Sequence, residues 1–184
     1  MRLKTVLAML CFALASVLVA ERASAYAPTM ERNGATMELK GSGEAHYMGF
    51  VEVYEAALYG KRGVAAEQLL RRDVPMCLRL DYQRAIGRED IVKAADTVLK
   101  RQNDASSLTP LHARIDRLHA AYRDVEADDY YVLCYSPGAG SELSLNGETL
   151  IKIEGRDFAV RYFALWLGEE PLSESLKQAL LATE

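Results

Sequence analysis

Residues 136–171 read SPGAGSELSLNGETLIKIEGRDFAVRYFALWLGEEP and carry the densest structural signal in this chain. Asn146-Gly147 is a strong signal for a two-residue β-turn, so a short strand is predicted on each side of it. A helix is predicted over 158–167, with the only tryptophan, Trp166, near its end, and a second helix over 173–181. The order hairpin, helix, helix indicates helices packed beside antiparallel strands.

The rest of the chain repeats this combination of strands and helices. Strands are predicted over 36–44, 50–59, a segment opened by Pro75, and 130–135. Helices are predicted over 65–72, from Gly87 to about Asn103, and from a Thr109 cap onward, with 26–34 as a loose segment and 104–107 as a linker. We therefore predict an α+β fold, in which helices pack on one face of a large, mainly antiparallel sheet.

The strand after Pro75 has the cleanest alternation in the chain. Met76, Leu78, Leu80 and Tyr82 are predicted to point to one face, and Cys77, Arg79 and Asp81 to the other. One face of this strand should therefore be buried against the core.

The first 25 residues have the features of a secretory signal peptide. Arg2 and Lys4 precede an apolar run, and Ala23-Ser24-Ala25 is an A-x-A cleavage site. The rival interpretation is a membrane anchor, but the run is shorter than the roughly 20 residues that span a bilayer. We expect residues 1–25 to be removed, which leaves one domain over 26–184 in the periplasm or outside the cell, with no membrane span.

Charge and motifs exclude several classes of function. The formal net charge is −4 and no long basic run occurs, which argues against nucleic-acid binding. His46, His112 and His119 are interpreted as solvated surface histidines, so we expect no metal site. Gly41-Ser42-Gly43 lacks the strand and helix that flank a phosphate loop, so a sheet bulge or a close backbone approach is predicted there, and no cofactor is expected.

Two cysteines, Cys77 and Cys134, follow the predicted leader. In an oxidising compartment they can pair, and a bridge between them would close a long loop. The alternative is two separate buried thiols, each acting as a small hydrophobic side chain. The sequence leaves both possibilities open.

Tyrosines are concentrated in the predicted strands. Eight of them lie there or at strand ends: Tyr26, Tyr47, Tyr54, Tyr59, Tyr82, Tyr130, Tyr131 and Tyr135. Packing on the sheet is their default role, but such residues can also line an amphipathic ligand cleft. Tyr54, Tyr59 and Tyr82, with Arg79 or Arg84 as the cation, are the candidate ligand-binding residues for a small amphipathic acid.

An ordered set of motifs resembles the chalcone isomerase-like family, in its exported bacterial branch. The set comprises Gly41-x-Gly43, Val53–Tyr59, Leu78-x-Leu80-x-Tyr82-x-Arg84, Tyr122-Arg123-Asp124, Tyr131–Pro137, Leu143-x-Leu145-Asn146-Gly147, Phe163–Gly168 and Pro171. The resemblance implies an open-faced β-sandwich, with a ligand cleft between the sheet and the helices.

The catalytic members of that family close a flavanone ring, and their catalytic residues are not matched here. The resemblance places Ala45 at the position of the family's enolate-stabilising arginine, and Tyr54 near that of a threonine. The helix over 90–103 contains no tyrosine, and Ala159 lies near the position of a late Ser or Thr. Because the loss of one oxyanion donor can lower a rate by about 10²–10³, flavanone-forming activity is not expected.

Other members of the family bind fatty acids and do not catalyse a reaction. The sequence therefore predicts an exported, non-catalytic protein that binds a small amphipathic or lipid-like ligand such as a fatty acid. Two alternatives are an isomerase or intramolecular lyase that uses Tyr54 and Arg84 on another substrate, and a protein-interaction module. The sequence identifies no protein partner.

Overall fold

The computed structural model describes residues 26–47 and 49–182. The predicted signal peptide, residues 1–25, lies outside the described residues. The strands are β1 (Thr29–Arg32), β2 (Ala35–Tyr47), β3 (Val51–Lys61), β4 (Met76–Tyr82), β5 (Tyr130–Ser136), β6 (Gly140–Leu145) and β7 (Glu148–Ile153). The helices are α1 (Arg88–Gln102), α2 (Ala105–Leu108), α3 (His112–Ala121), α4 (Arg156–Leu167) and α5 (Glu174–Leu181).

All seven strands form one antiparallel sheet in chain order, β1 to β7. Two of its hairpins turn at an Asn-Gly pair with positive φ, at 50° and 74° for Asn33-Gly34 and at 50° and 84° for Asn146-Gly147. Positive φ at both central residues matches the right-handed twist of the flanking strands. The predicted α+β fold is therefore confirmed, with an antiparallel sheet and helices packed against it.

The two faces of the sheet differ in what covers them. We call the side that contacts the helices the helix face and the opposite side the far face. On β4, Leu78, Leu80 and Tyr82 pack in the main core with the helices, whereas Cys77 belongs to a second, smaller cluster on the far face. The alternation predicted for this strand is confirmed.

Close contact between β2 and α5 requires glycine at two positions. A Cβ atom on Gly41 would lie 2.4 Å from the backbone oxygen of Ala179, and one on Gly43 would lie 2.6 Å from the Cβ of Ala179. The pairing of β2 with β3 also shifts register between Leu39 and Gly41. Both the close approach and the bulge predicted for this glycine segment are present.

The sheet curls toward its far face. In a flat sheet β1 and β6 would be about 24 Å apart, since neighbouring strands are spaced by about 4.8 Å. Arg32 of β1 nevertheless lies 3.0 Å from Glu142 and donates to Ser144 at 3.1 Å, both on β6. The curl leads β1 over the far face, and Met30 packs there against the smaller cluster.

Four local predictions were wrong. Thr109 does not cap α3, because it lies in a 3₁₀ turn before that helix and its hydroxyl donates to the backbone oxygen of Ala105. Residues 26–34 are not a loose segment, because they contain β1. The helix predicted over 65–72 is a single 3₁₀ turn, Ala66–Gln68. The linker predicted over 104–107 is mostly helical, because the carboxylate of Asp104 accepts from the backbone N–H of Ser107 and caps α2. No helix in the described part of the chain is long and apolar enough to cross a membrane.

Candidate functional site

Six aromatic side chains form a closed loop between the helix face and the helices. We call this loop the aromatic circuit. In spatial order its members are Tyr54 of β3, Tyr82 of β4, Tyr131 of β5, Tyr122 after α3, and Tyr162 and Trp166 of α4. The strand members share a face because Tyr54 is the register partner of Tyr82. The α4 members share a face because they are four residues apart.

Ring contacts and hydrogen bonds join each member of the circuit to the next. Ring centroids are 5.6 Å apart for Tyr54–Tyr82, 6.1 Å for Tyr82–Tyr131 and 5.2 Å for Tyr131–Tyr122. The Tyr162 hydroxyl donates to that of Tyr122 at 3.2 Å, and the Tyr162 and Trp166 rings are 6.4 Å apart. Trp166 Nε1 donates to the Tyr54 hydroxyl at 3.0 Å, which closes the loop.

The circuit is a neutral, hydroxyl-rich environment. Burial raises the pKa of Tyr54 to about 12, although the Trp166 hydrogen bond opposes that shift. Burial also raises the pKa values of Tyr82 and Tyr122 well above their usual range, and neighbouring tyrosines add to both shifts. Among the described residues, no arginine or lysine side chain hydrogen-bonds to the circuit. Its hydroxyls therefore stay protonated at neutral pH and can donate hydrogen bonds.

His119 packs against the edge of the circuit, and its interpretation as a solvated histidine was wrong. Its ring centroid lies 6.4 Å from that of Tyr122 and 5.9 Å from that of Tyr162. Only 9% of the side chain is exposed, and desolvation lowers its pKa below the usual value. The solvated interpretation does hold for His46 and His112, which are exposed.

Two residues that the resemblance places at the family's reaction centre, Ala45 and Ala159, are buried close in sequence or register to members of the circuit. Ala45 is buried and is the register partner of Tyr54 across β2 and β3. Ala159 is fully buried on α4. Neither residue carries a polar side chain, so the hydroxyls of the circuit and His119 are the polar groups recorded at this site.

The far face carries a second aromatic and charged group. Arg79 donates through Nη2 and Nε to the carboxylate of Asp81, at 2.6 and 2.9 Å, and its guanidinium carbon lies 4.0 Å from the centroid of Tyr130. The hydroxyl of Tyr26 donates to Asp81 at 2.8 Å, and that of Tyr59 donates to the carbonyl of Ala27 at 3.0 Å. A groove of about 420 Å³ adjoins this group, with Glu55 and Asp128 among its walls.

The structure does not bring all five candidate ligand-binding residues together, although Tyr59, Arg79 and Tyr82 all line the far-face groove. Tyr54 and Tyr82 belong to the aromatic circuit on the helix face, whereas Tyr59 and Arg79 lie on the far face. Arg84 is exposed after β4. Cys77 and Cys134 are register partners on β4 and β5, and their sulfurs form a disulfide bond on the far face.

A cluster of carboxylates lies near the end of the β2–β3 hairpin. Oxygens of Glu44, Glu52 and Glu55 are within 4.8 Å of one another, and His46 is 3.5 Å from Glu44. Partial burial raises the pKa of Glu55, and the charges of Glu52 and Glu44 raise it further. The carboxylates therefore repel one another, and Glu44 is the exposed member of the cluster, whereas Glu52 and Glu55 are half-buried.

The sequence reasoning did not select Tyr122, Tyr162, Trp166 or His119 as site residues. A usable signal was present for two of them, because Tyr162 and Trp166 are four residues apart on a strongly predicted helix. Tyr122 appears within the family motif Tyr122-Arg123-Asp124, without a functional role. No local pattern distinguishes His119 from His112, since only the packing of α3 against its neighbours separates them.

Comparison with known proteins supports the assignment that the motifs suggested. The fold is similar to the crystal structure of a fatty-acid binding protein from Arabidopsis thaliana, with a TM-score of 0.64 and 14% sequence identity. That similarity covers 85% of this chain and 90% of the plant protein. No curated protein sequence matches this chain. The profile of the chalcone isomerase-like family matches residues 21–182. This chain therefore belongs to the chalcone isomerase-like family.

Proposed function

We propose that this protein is an exported, non-catalytic binding protein for a small amphipathic ligand with an acidic head, such as a fatty acid. The ligand would bind at the aromatic circuit. The periplasm or the extracellular space is the proposed location, because an A-x-A site follows the apolar N-terminal run.

The observation that carries this proposal is a neutral aromatic site beside Ala45 and Ala159, the residues that the resemblance places at the family's reaction centre. Ala45 and Ala159 supply no group that could stabilise an enolate, whereas Tyr54, the register partner of Ala45, carries a protonated hydroxyl. A site with apolar ring walls and a few convergent O–H donors suits a ligand with one polar end. The same fold is found in a fatty-acid binding protein, which supports binding without catalysis.

Ligand binding at the circuit requires side-chain movement. Phe158, Tyr162 and Phe163 of α4 are at most 1% exposed and belong to the same core cluster as Leu58 and Leu78 of the sheet. Such close packing leaves little room for an acyl chain unless rings rotate or α4 shifts. We therefore expect the ligand to displace aromatic rings and to change the surroundings of Trp166.

The single tryptophan makes this expectation measurable. Decanoate, dodecanoate and palmitate should change the emission of Trp166 in a saturable titration, and native mass spectrometry should show a complex with one ligand. Tyr54→Phe should weaken binding about tenfold or more, because a hydrogen bond to a charged group contributes about 1.5–3 kcal/mol. Tyr59→Phe is the matched control, since it removes a hydroxyl from the far face.

Two outcomes would contradict the proposal. One is the absence of binding by any of these acids in both measurements. The other is equal weakening by Tyr54→Phe and Tyr59→Phe, which would place the ligand away from the circuit.

The structure does not favour an interaction module. In the described part of the chain, Phe50 and Leu172 are the large hydrophobic side chains that are exposed, at 75% and 36%. Two such residues are too few for the apolar patch of several hundred Å² that is typical of a docking surface.

A further inference from the structure

His119 contains a buried polar atom that folding alone does not explain. Its Nε2 atom is shielded from solvent and has no hydrogen-bond partner among the described residues. Buried polar atoms in folded proteins almost always have a partner, because an unpaired one loses its hydration without compensation. The ring contacts of His119 with Tyr122 and Tyr162 place this side chain at the edge of the aromatic circuit.

Charged groups face His119 from α1 and from its own helix. Asp96 of α1 lies 3.6 Å from Nδ1, and Asp116 of α3 also favours the protonated ring. Arg88 of α1 opposes protonation, and its guanidinium donates to the backbone oxygen of His119 at 3.1 and 3.2 Å. From the circuit, the rings of Tyr122 and Tyr162, which are neutral, pack against the imidazole. Desolvation lowers the pKa of His119 by more than the two aspartates raise it, so the ring is neutral in the free protein at neutral pH.

We propose that His119 is the residue that recognises the acidic head of the ligand. The resemblance places Ala45 where catalytic relatives carry an arginine, so that position supplies no cation here. This inference rests on the proposed function. On binding of a carboxylate, the imidazole takes up one proton from solvent and becomes a donor at both nitrogens. Nε2–H then donates to the ligand carboxylate, and Nδ1–H points toward Asp96. The bound pair carries no net charge, which reduces the cost of burying the carboxylate.

This arrangement makes binding of an acid depend on pH. Above the pKa of the free His119, each carboxylate bound requires the uptake of one proton, so affinity should rise as pH falls. For the uptake of one full proton, the Kd of the acid should fall about tenfold for each unit by which the pH is lowered. An uncharged ligand with the same chain length should bind with an affinity that does not change with pH.

Decanoate and 1-decanol are the probes that test this. For the wild-type protein between pH 8 and pH 6.5, the Kd of decanoate should fall about tenfold per pH unit, and that of 1-decanol should stay constant. His119→Gln should weaken decanoate binding by about thirtyfold or more at pH 6.5, abolish its pH dependence and leave 1-decanol binding unchanged. His112→Gln, at the exposed first residue of the same helix, should behave as wild type.

A measurement on the wild-type protein covers the case in which His119→Gln fails to fold. The imidazole nitrogen chemical shifts of His119 should move from neutral to protonated values when decanoate is added at pH 7. Decanoate binding that is independent of pH and leaves His119 neutral would overturn this inference and leave the proposed function intact. If neither probe binds the wild-type protein, the proposed function fails and this inference fails with it.

Discussion

The two faces of one sheet are stabilised in different ways. On the helix face, Tyr54 and Tyr82 pack through rings and neutral hydroxyls, and one hydrogen bond from Trp166 joins the sheet to α4. On the far face, the same strands β3 to β5 carry a disulfide bond and the Arg79–Asp81 ion pair. The alternation of side chains along each strand assigns these two kinds of interaction to opposite sides.

The difference indicates which face can adapt to a ligand. Ring packing can be rearranged at modest cost, because aromatic contacts add only about 0.5–1.5 kcal/mol beyond area burial. A covalent bond between two central strands holds their register while the helix face moves. We therefore interpret the far face as the fixed support and the helix face as the adaptable layer.

Loss of the disulfide should have the largest effect on stability. The double variant Cys77→Ala, Cys134→Ala removes a bond between two residues that are 57 positions apart in the sequence. In the chain-entropy model this lowers the free energy of unfolding by about 4 kcal/mol. Urea unfolding of the double variant and of the wild type, followed by the emission of Trp166, measures the difference.

Reduction of the wild type provides an independent check. Both cysteines are at most 2% exposed, so dithiothreitol should act only after unfolding or a large opening. An unchanged urea midpoint in the double variant would show that the far face does not depend on this bond, and the proposed contrast between the faces would be lost.

Alkaline pH should destabilise the helix face next. The Tyr54 hydroxyl titrates near pH 10 when unfolded and at about 12 when folded. The unfolded state therefore loses its proton first as pH rises, and the stability that burial gives below pH 10 is lost between pH 10 and pH 12. Tyr54 alone accounts for about 3 kcal/mol, since one pKa unit is about 1.4 kcal/mol. Urea unfolding at pH 9 to 11 measures about half of this loss, about 1.4 kcal/mol, because the remainder falls between pH 11 and pH 12.

A variant isolates the contribution of this tyrosine. Tyr54→Phe should be less stable than wild type at pH 8, because Trp166 loses its acceptor. It should also lose less stability than wild type between pH 9 and pH 11. Equal losses in the two proteins would show that the ionisation of Tyr54 does not govern the alkaline transition.

Asn-Gly turns made part of the fold predictable from the sequence, although only one of the two was used to predict a hairpin. Asn146-Gly147 was recognised as a hairpin turn, and β6 and β7 flank it as expected. Asn33-Gly34 carries the same signal with almost the same φ values, yet its flanking strand β1 was predicted as a loose segment. The second hairpin was readable from the sequence by the same rule.

The site was less predictable, for two separate reasons. Tyr54 and Tyr59 are five residues apart on one strand, and an odd spacing places them on opposite faces, so their separation could have been predicted. The burial of His119 could not, because it arises from the packing of α3 against α1 and α4. The pairing of Trp166 with Tyr54 depends on a contact between residues 112 positions apart, which no local pattern encodes.

The far-face ion pair should have the smallest effect. Asp81→Asn removes the charge that accepts from Arg79 and weakens the bond from Tyr26. Since Arg79 and Asp81 are 33% and 23% exposed, we expect a loss of about 1 kcal/mol, smaller in 1 M salt because of screening. Thermal unfolding at low and high salt measures this loss.

Asp128 is an exposed residue of the far-face groove, and Asp128→Asn should have no effect. A loss at Asp81 comparable to that of the disulfide would mean that this ion pair, rather than the covalent bond, holds the far face.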